Sequence, residues 1–451
     1  MTDPVARDLA AFALGREAAG ADALHEAARR LLDVVCLAAA SGQDRPVRIA
    51  KSLAEPRADG RGGGGGGGVT VWGEPGRWDL AGAVLANCVA ARYRDMNDSY
   101  FSRESLHPSD MVPALCGVAE QTGATVRQLL DAVCVAYDVA VDMADTWRTS
   151  ARGADHVNLI RFGTVAGAGR LLGLDEQALT QAFAIAATTQ IATRQTRRGN
   201  LTMWKGYAAG DHAVGGLRAV RMAAAGVEGP TLSFVGDMGF QAVAVDPATH
   251  VERWPARDGR RRVLDTHLKV YPVGYLSQAP AEVAVELHGR LAGATPVSAR
   301  VSTYRRAQEI MADPEKWHPS SQETADHSLP YIVAVCLLDG RVGTDSMHEA
   351  RWSAPDVAEL LPRVEVVVDE PMTAAYPQEM AVRIEVLTSS GERLEAAVPW
   401  PRGHARRPLT DDQLTSRSLE LLASAPGAAR AVDVERLLHP DLDRPAAHLW
   451  N

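Results

Sequence analysis

Between residues 95 and 110 the chain reads "DMNDSYFSRESLHPSD". Those sixteen residues hold Asp95, Asp98, Ser99, His107, Ser109 and Asp110, and they lie between two stretches of helical pattern. A helix-to-helix connection needs only a cap and a turn, so this polar density exceeds what the backbone requires. An imidazole that titrates near neutrality, with carboxylates to orient it, is equipment for proton transfer. Three further windows add to it. "ARGADHVNL" carries Asp155 and His156, "LTMWKGYAAGDHAVGG" carries Lys205, and "THLKVYPVGYLSQ" carries Lys269. Two ammonium groups beside an imidazole suit chemistry next to a substrate carboxylate. Removing a proton α to a carboxylate builds charge on its oxygens, and lysines stabilise that charge. The same set could instead protonate the carbanion left by loss of carbon dioxide.

Other features point away from rival chemistries. Asp-His pairs at 155–156, 211–212 and 326–327 invite a metal. Neighbours in sequence cannot both point at one ion from a helix, so no metal centre is expected. Cys36, Cys88, Cys116, Cys134 and Cys336 are scattered and form no C-x-x-C, which reads as small buried hydrophobes in a reducing compartment. The glycine run at 62–68 lacks the GK[ST] ending of a phosphate loop and reads as a mobile surface loop. "GAGRLLG" at 167–173 sits inside a helical pattern and reads as close helix packing. A formal net charge of −9 with no basic stripe argues against a nucleic-acid partner. It leaves an anionic substrate open, because a few lysines can dominate a cleft. The N-terminal stretch lacks the apolar core of a secretory signal, and no apolar run is long enough to span a membrane. A cytoplasmic protein is therefore expected.

These groups need elements to position them. At 451 residues the chain exceeds one ordinary core, so two domains are expected. Its hydrophobic residues are rich in Ala, Val and Leu, with only 5% aromatic overall, which leans helical. From residue 22 to about 226 the pattern is almost wholly helical. In "ADALHEAARRLLDVVCLAAASG", Leu24, Ala27, Leu31, Val35 and Ala38 form one stripe. Near residue 263 the period changes. "VSARVSTY", "RVEVVVDE", "AVRIEVLT" and "RLEAAVPW" alternate with period two, as strands do, with helical stretches at 277–291 and 323–339. After Pro401 the helical signal returns, with Thr410 as N-cap. The expected fold is mainly α. A large helical domain spans 1–262 and is completed by 402–451, with a smaller α+β lid domain inserted at 263–401.

The motifs "RDMNDSYFSRESLHPSDMVPA", "DHVNL", "MWKGYAAGDHAVGG", "LKVYPVGYLSQ" and "ETADHSLPYIVAVCLLDG" resemble the MmgE/PrpD family over about residues 22–424. That family includes 2-methylcitrate dehydratases, cis-aconitate decarboxylase and an iminodisuccinate epimerase, and the pattern is most similar to the dehydratase branch. The resemblance implies a homodimer that needs no metal or organic cofactor, with its active site between the domains. It implies functional roles for Asp95, His107, His156, Lys205 and Lys269. Ser99 stands where the family usually has Thr, and Tyr331 is carried over from the lid. Gly274 and Leu276 stand where the dehydratase branch has an acid and an imidazole, and Gln322 where it has an arginine. Arginine is the natural bidentate partner of a carboxylate. The departures therefore imply a substrate with one carboxylate fewer, or one placed differently. The leading expectation is dehydration of a small polycarboxylate. His107 would be the acid/base group, Asp95 its orienter or the proton acceptor, and Lys205 and Lys269 the carboxylate holders. A decarboxylase, an isomerase or epimerase, and a non-catalytic binding protein are the rivals.

Overall fold

The structure, a computed structural model, describes residues 2–57, 67–199, 201–255, 259–425, 427 and 432–450. Most of the glycine run read above as a mobile loop lies outside the described residues. The longer helices of the first part are α1 (Pro4–Gly15), α2 (Ala21–Ala40), α3 (Leu80–Arg92), α4 (Val112–Thr122), α5 (Val126–Thr146), α6 (Val157–Leu171), α7 (Glu176–Ala187) and α8 (Trp204–Ala224). α5 and α6 run against each other, and α8 packs on α3, α6 and α7. Small residues permit this closeness. A Cβ at Gly163 would stand 2.7 Å from the Ala136 carbonyl oxygen, and one at Gly167 2.8 Å from that of Ala132. The reading of "GAGRLLG" as helix packing therefore holds.

Among the described residues two large hydrophobic cores form. The first draws on residues from Val5 to Leu268 and again from Leu409 to Leu449. The second draws on Val273 to Leu394. The change of core falls between Leu268 and Val273, a few residues past the change of sequence period near 263. The reason is local: His267 exchanges backbone hydrogen bonds with Ser99, which ties this segment to the helical part.

The second core is built on a sheet of β1 (Pro296–Thr303), β2 (Val364–Val368), β3 (Val382–Thr388) and β4 (Arg393–Val398), in the order β2-β1-β3-β4. β1 and β2 are parallel and the other pairs antiparallel. Along β3, Val382, Ile384 and Val386 are buried while their neighbours are half-exposed, as a period of two requires. Two helices accompany the sheet, α9 (Gln278–Gly289) and α10 (Leu329–Asp339), and α9 packs on α10, β3 and β4.

The helical stretch expected over 323–339 is broken. A short helix, Gln322–Ala325, precedes α10, and Asp326, His327 and Ser328 lie between. Ser328 caps α10 by accepting from the Tyr331 N–H, and Pro330 sits in its first turn. Beyond the second core, α11 (Asp411–Ala423) starts from a capping box in which Thr410 and Gln413 satisfy each other's backbone N–H groups. All five cysteines are free and buried. Among the described residues no helix is long and apolar enough to cross a membrane.

Candidate active site

Most of the polar density after α3 folds the loop itself. Asp98 accepts from the Ser109 N–H at 2.9 Å and from the Tyr137 hydroxyl at 2.8 Å. The Asn97 amide donates to Ser109 Oγ at 3.1 Å and to Asp110 Oδ1 at 2.9 Å. Two-residue strands, Tyr100–Phe101 and Ser105–Leu106, close a hairpin that delivers His107. Its Nδ1 lies 2.7 Å from the Asp98 carbonyl oxygen and 3.2 Å from Ser99 Oγ. A carbonyl only accepts, so Nδ1 carries the proton and Nε2 is the basic atom. Burial, with Arg92 and Lys269 nearby, holds the His107 pKa well below the usual value, so the ring is neutral.

His156 stands beside it, ring centroids 5.6 Å apart. Its Nδ1 lies 3.2 Å from Asp155 Oδ1, and its buried Nε2 has no hydrogen-bond partner among the described residues. Arg197 holds Asp155 from the other side at 3.1 Å. Burial lowers the His156 pKa to about 3, so this ring is neutral too.

Below the two rings, cations converge on Asp95. This residue adopts a left-handed backbone, φ +52°, which Asp tolerates better than most residues. Arg92 pairs with its carboxylate. Lys269 Nζ lies 3.1 Å from Oδ2 and donates to the Asp95 carbonyl at 2.6 Å. Lys205 Nζ lies 3.8 Å from Asp95 Oδ1, 3.4 Å from Asp326 Oδ1 and 3.1 Å from His327 Nδ1. His327 pairs with Asp326 and brings Nε2 to 3.7 Å from Asp95 Oδ2. Burial opposes ionisation of Asp95, but Lys205, Lys269 and Arg92 outweigh it and hold its carboxyl well below the usual range. Burial pulls Lys269 down to about 8, against the pull of Asp95.

A cavity of 1510 Å³ opens over this cluster, between the two cores. Arg92, Asp95, His107, His156, Arg197 and Lys205 line it from the helical side. Gly274, Leu276, Ile310, Met311, Trp317 and Tyr376 line it from the other. The sequence-nominated residues therefore divide. Asp95, His107, His156, Lys205, Gly274 and Leu276 reach the cavity. Ser99 and Lys269 are fully buried and lie outside the cavity lining, and Lys269 pairs with Asp95. The group that His107 Nδ1 contacts is the Asp98 carbonyl, not the Asp95 carboxylate. Gln322 accepts from the Tyr93 hydroxyl at 3.4 Å, away from the cavity lining. Tyr331 is buried in α10 and donates to the Ser346 carbonyl, also away from the lining. Gly274 leaves no vacant space: a Cβ there would meet Met311 Cε at 2.6 Å and the His327 ring at 3.3 Å.

Sequence reasoning missed Arg92, Arg194, Arg197, Arg306 and His327 as lining residues. His327 was visible in "ETADHSLPY", but only as half of a metal-like pair. "TRQTRRG" at 193–199 was visible as a basic cluster. Among the described residues, no group of three or more His, Cys, Asp or Glu side chains could hold a metal ion.

Comparison with known proteins follows the same two-part division. The model of the MmgE/PrpD N-terminal domain matches residues 7–252, and that of the MmgE/PrpD C-terminal domain residues 271–439. The 2-methylcitrate dehydratase of Cupriavidus necator is 28% identical over 338 residues, 70% of this chain and 69% of that one. The Escherichia coli K12 protein of the same name is 26% identical over 361 residues, 75% and 74% of the two chains. The cis-aconitate decarboxylase of Mus musculus is 24% identical over 373 residues, 77% and 73%. The chain belongs to the MmgE/PrpD family.

Proposed function

We propose that this member of the MmgE/PrpD family is a lyase that removes water from a small polycarboxylate, with His107 as its acid/base group. One observation carries the reading: a neutral imidazole, tied through Nδ1 to a carbonyl, presents Nε2 on the wall of a cavity whose floor is a cluster of cations. Nε2 takes the proton from the carbon α to a carboxylate, and the C–H electron pair becomes the second bond of the alkene. The hydroxyl on the neighbouring carbon leaves with its C–O electron pair. The imidazolium just formed returns the proton to it, so water departs and His107 is restored. A low imidazole pKa makes that imidazolium a strong acid, which suits the second half of the step. Lys205 stabilises the charge that develops on the carboxylate oxygens. Asp95 stays ionised and sets the positions of Lys205 and Lys269 instead of carrying protons.

The apolar side of the cavity, Leu276 and Met311 above all, supports a substrate with an uncharged substituent facing it. Dehydration of such an acid is the finer reading. Decarboxylation is the second, because the same imidazolium can protonate a carbanion, and a relative of 24% identity bears the name cis-aconitate decarboxylase.

The test is proton NMR on the purified enzyme with hydroxy- and unsaturated di- and tricarboxylates in deuterated water. An alkene signal without carbon dioxide release is the expected result. Carbon dioxide release with deuterium at carbon would favour decarboxylation, and no turnover of any acid would sink the lyase reading.

A further inference from the structure

We infer that Arg194 and Arg306 form a second carboxylate-binding point, distinct from the Lys205–His327 cluster, that grips one end of the substrate from both cores at once. The inference rests on the lyase reading for its substrate class and on separate side chains for its geometry. Arg194 sits in the connection between α7 and α8, where its N–H donates to the Gly153 carbonyl at 2.7 Å. Arg306 lies in the short helix Arg305–Met311 that follows β1. Both residues line the cavity and are half-buried.

The other arginines deep in the cavity are spoken for: Arg92 pairs with Asp95, and Arg197 with Asp155. Arg194 and Arg306 make no side-chain hydrogen bond or ion pair among the described residues. Glu104, the nearest acidic influence on Arg194, has its oxygens occupied by Ser105, Thr149 and Ser150. A guanidinium offers five donors in a rigid fork shaped for a carboxylate, and leaving them unused in a partly desolvated site is unfavourable. The two cations also disfavour one another: burial, with Arg306 and Arg198, pushes the Arg194 pKa down against the pull of Glu104 and Asp155. An anion between them satisfies both forks and removes that repulsion. Because one arginine belongs to each core, a bound carboxylate would link the two.

The probe is tricarballylate, which has three carboxylates and no hydroxyl to eliminate, titrated calorimetrically into the full chain. Wild type should bind it. R194M and R306M should each weaken binding by about 10- to 100-fold, the range expected for losing charge-assisted hydrogen bonds. R194M/R306M should fall short of the product of the two losses, because both hold the same group. R194K should recover part of the affinity, and circular dichroism should show unchanged helicity. Failure of wild type to bind tricarballylate, or wild-type affinity in both single variants, overturns the grip. The two readings fail separately. Arginine-dependent binding without turnover of any acid leaves the grip standing and removes the lyase. Turnover with an unchanged KM in R194M does the reverse.

Discussion

The two sides of the cavity are built by different means. On the helical side, Asp95, His107, His156, Lys205 and Lys269 are fixed by hydrogen bonds and ion pairs, and nearly every polar atom has a named partner. On the other side, Leu276, Ile310, Met311, Trp317 and Tyr376 are held by packing alone or by contacts away from the cavity. A charge network holds atoms at set distances, which proton transfer needs. A packed apolar surface sets only size and shape, which substrate choice needs. The difference suits the helical side, with His327 reaching across to it, to proton chemistry, and the apolar part of the other side to discrimination.

The largest expected effect tests the reacting side. His107→Gln should lower kcat/KM by about 100- to 10,000-fold while the protein stays folded. Because the His107 pKa is depressed, the imidazole is already the free base at pH 7. The acid limb of kcat/KM should therefore lie below about pH 6.5, the ordinary histidine value. A variant with near-wild-type turnover would remove His107 from the reaction.

Next comes Asp95→Asn. It leaves Arg92, Lys205 and Lys269 buried around a neutral side chain, so unfolding in urea should show a loss of about 3–5 kcal/mol. The contribution of Asp95 is present above its unfolded pKa, near 3.9, and is lost as pH falls towards its lower folded value; it should be constant from pH 5 to 7 and decline above that as Lys269, at about 8, loses its proton. An unchanged urea midpoint would show that the cluster is not held by this carboxylate.

The smallest effect tests the discriminating side. Gly274→Ala places a methyl group against Met311 Cε and should push that flexible side chain into the cavity. KM should rise several-fold, equivalent to about 1 kcal/mol, with kcat little changed. A fall in kcat at constant KM would mean that this side, too, takes part in the chemistry.

The same contrast explains what could be read in advance. The stripe of α2, the alternation of β3 and the cap at Thr410 are local patterns, and each appears as an element. The window 95–110 was legible as a site because too many polar groups stood where a turn would do. What folding adds is direction. Lys269 was visible as a lysine, but only the Ser99–His267 bridge turns it inward to Asp95. Gln322 and Tyr331 were read from their place in a motif, and their helices face them elsewhere. Gly274 was read as the loss of an acidic side chain, yet a residue 37 positions on, Met311, stands where a side chain there would go. The break that frees Asp326 and His327 lies in the polar run "ETADHS" just before the apolar run of α10, and its local marks are Ser328 and Pro330.

The cavity reverses the sign of the molecule. The whole chain carries 47 lysines and arginines against 56 acidic residues. The cavity lining carries nine against seven. A polyanion approaching from a distance therefore meets repulsion and meets attraction only at the mouth. At physiological ionic strength the Debye length is about 8 Å, which screens the outer repulsion while leaving the sheltered interior charges largely intact. Moderate salt should then ease the approach of an anionic substrate, the opposite of the slowing seen when a protein's far field pulls its ligand in.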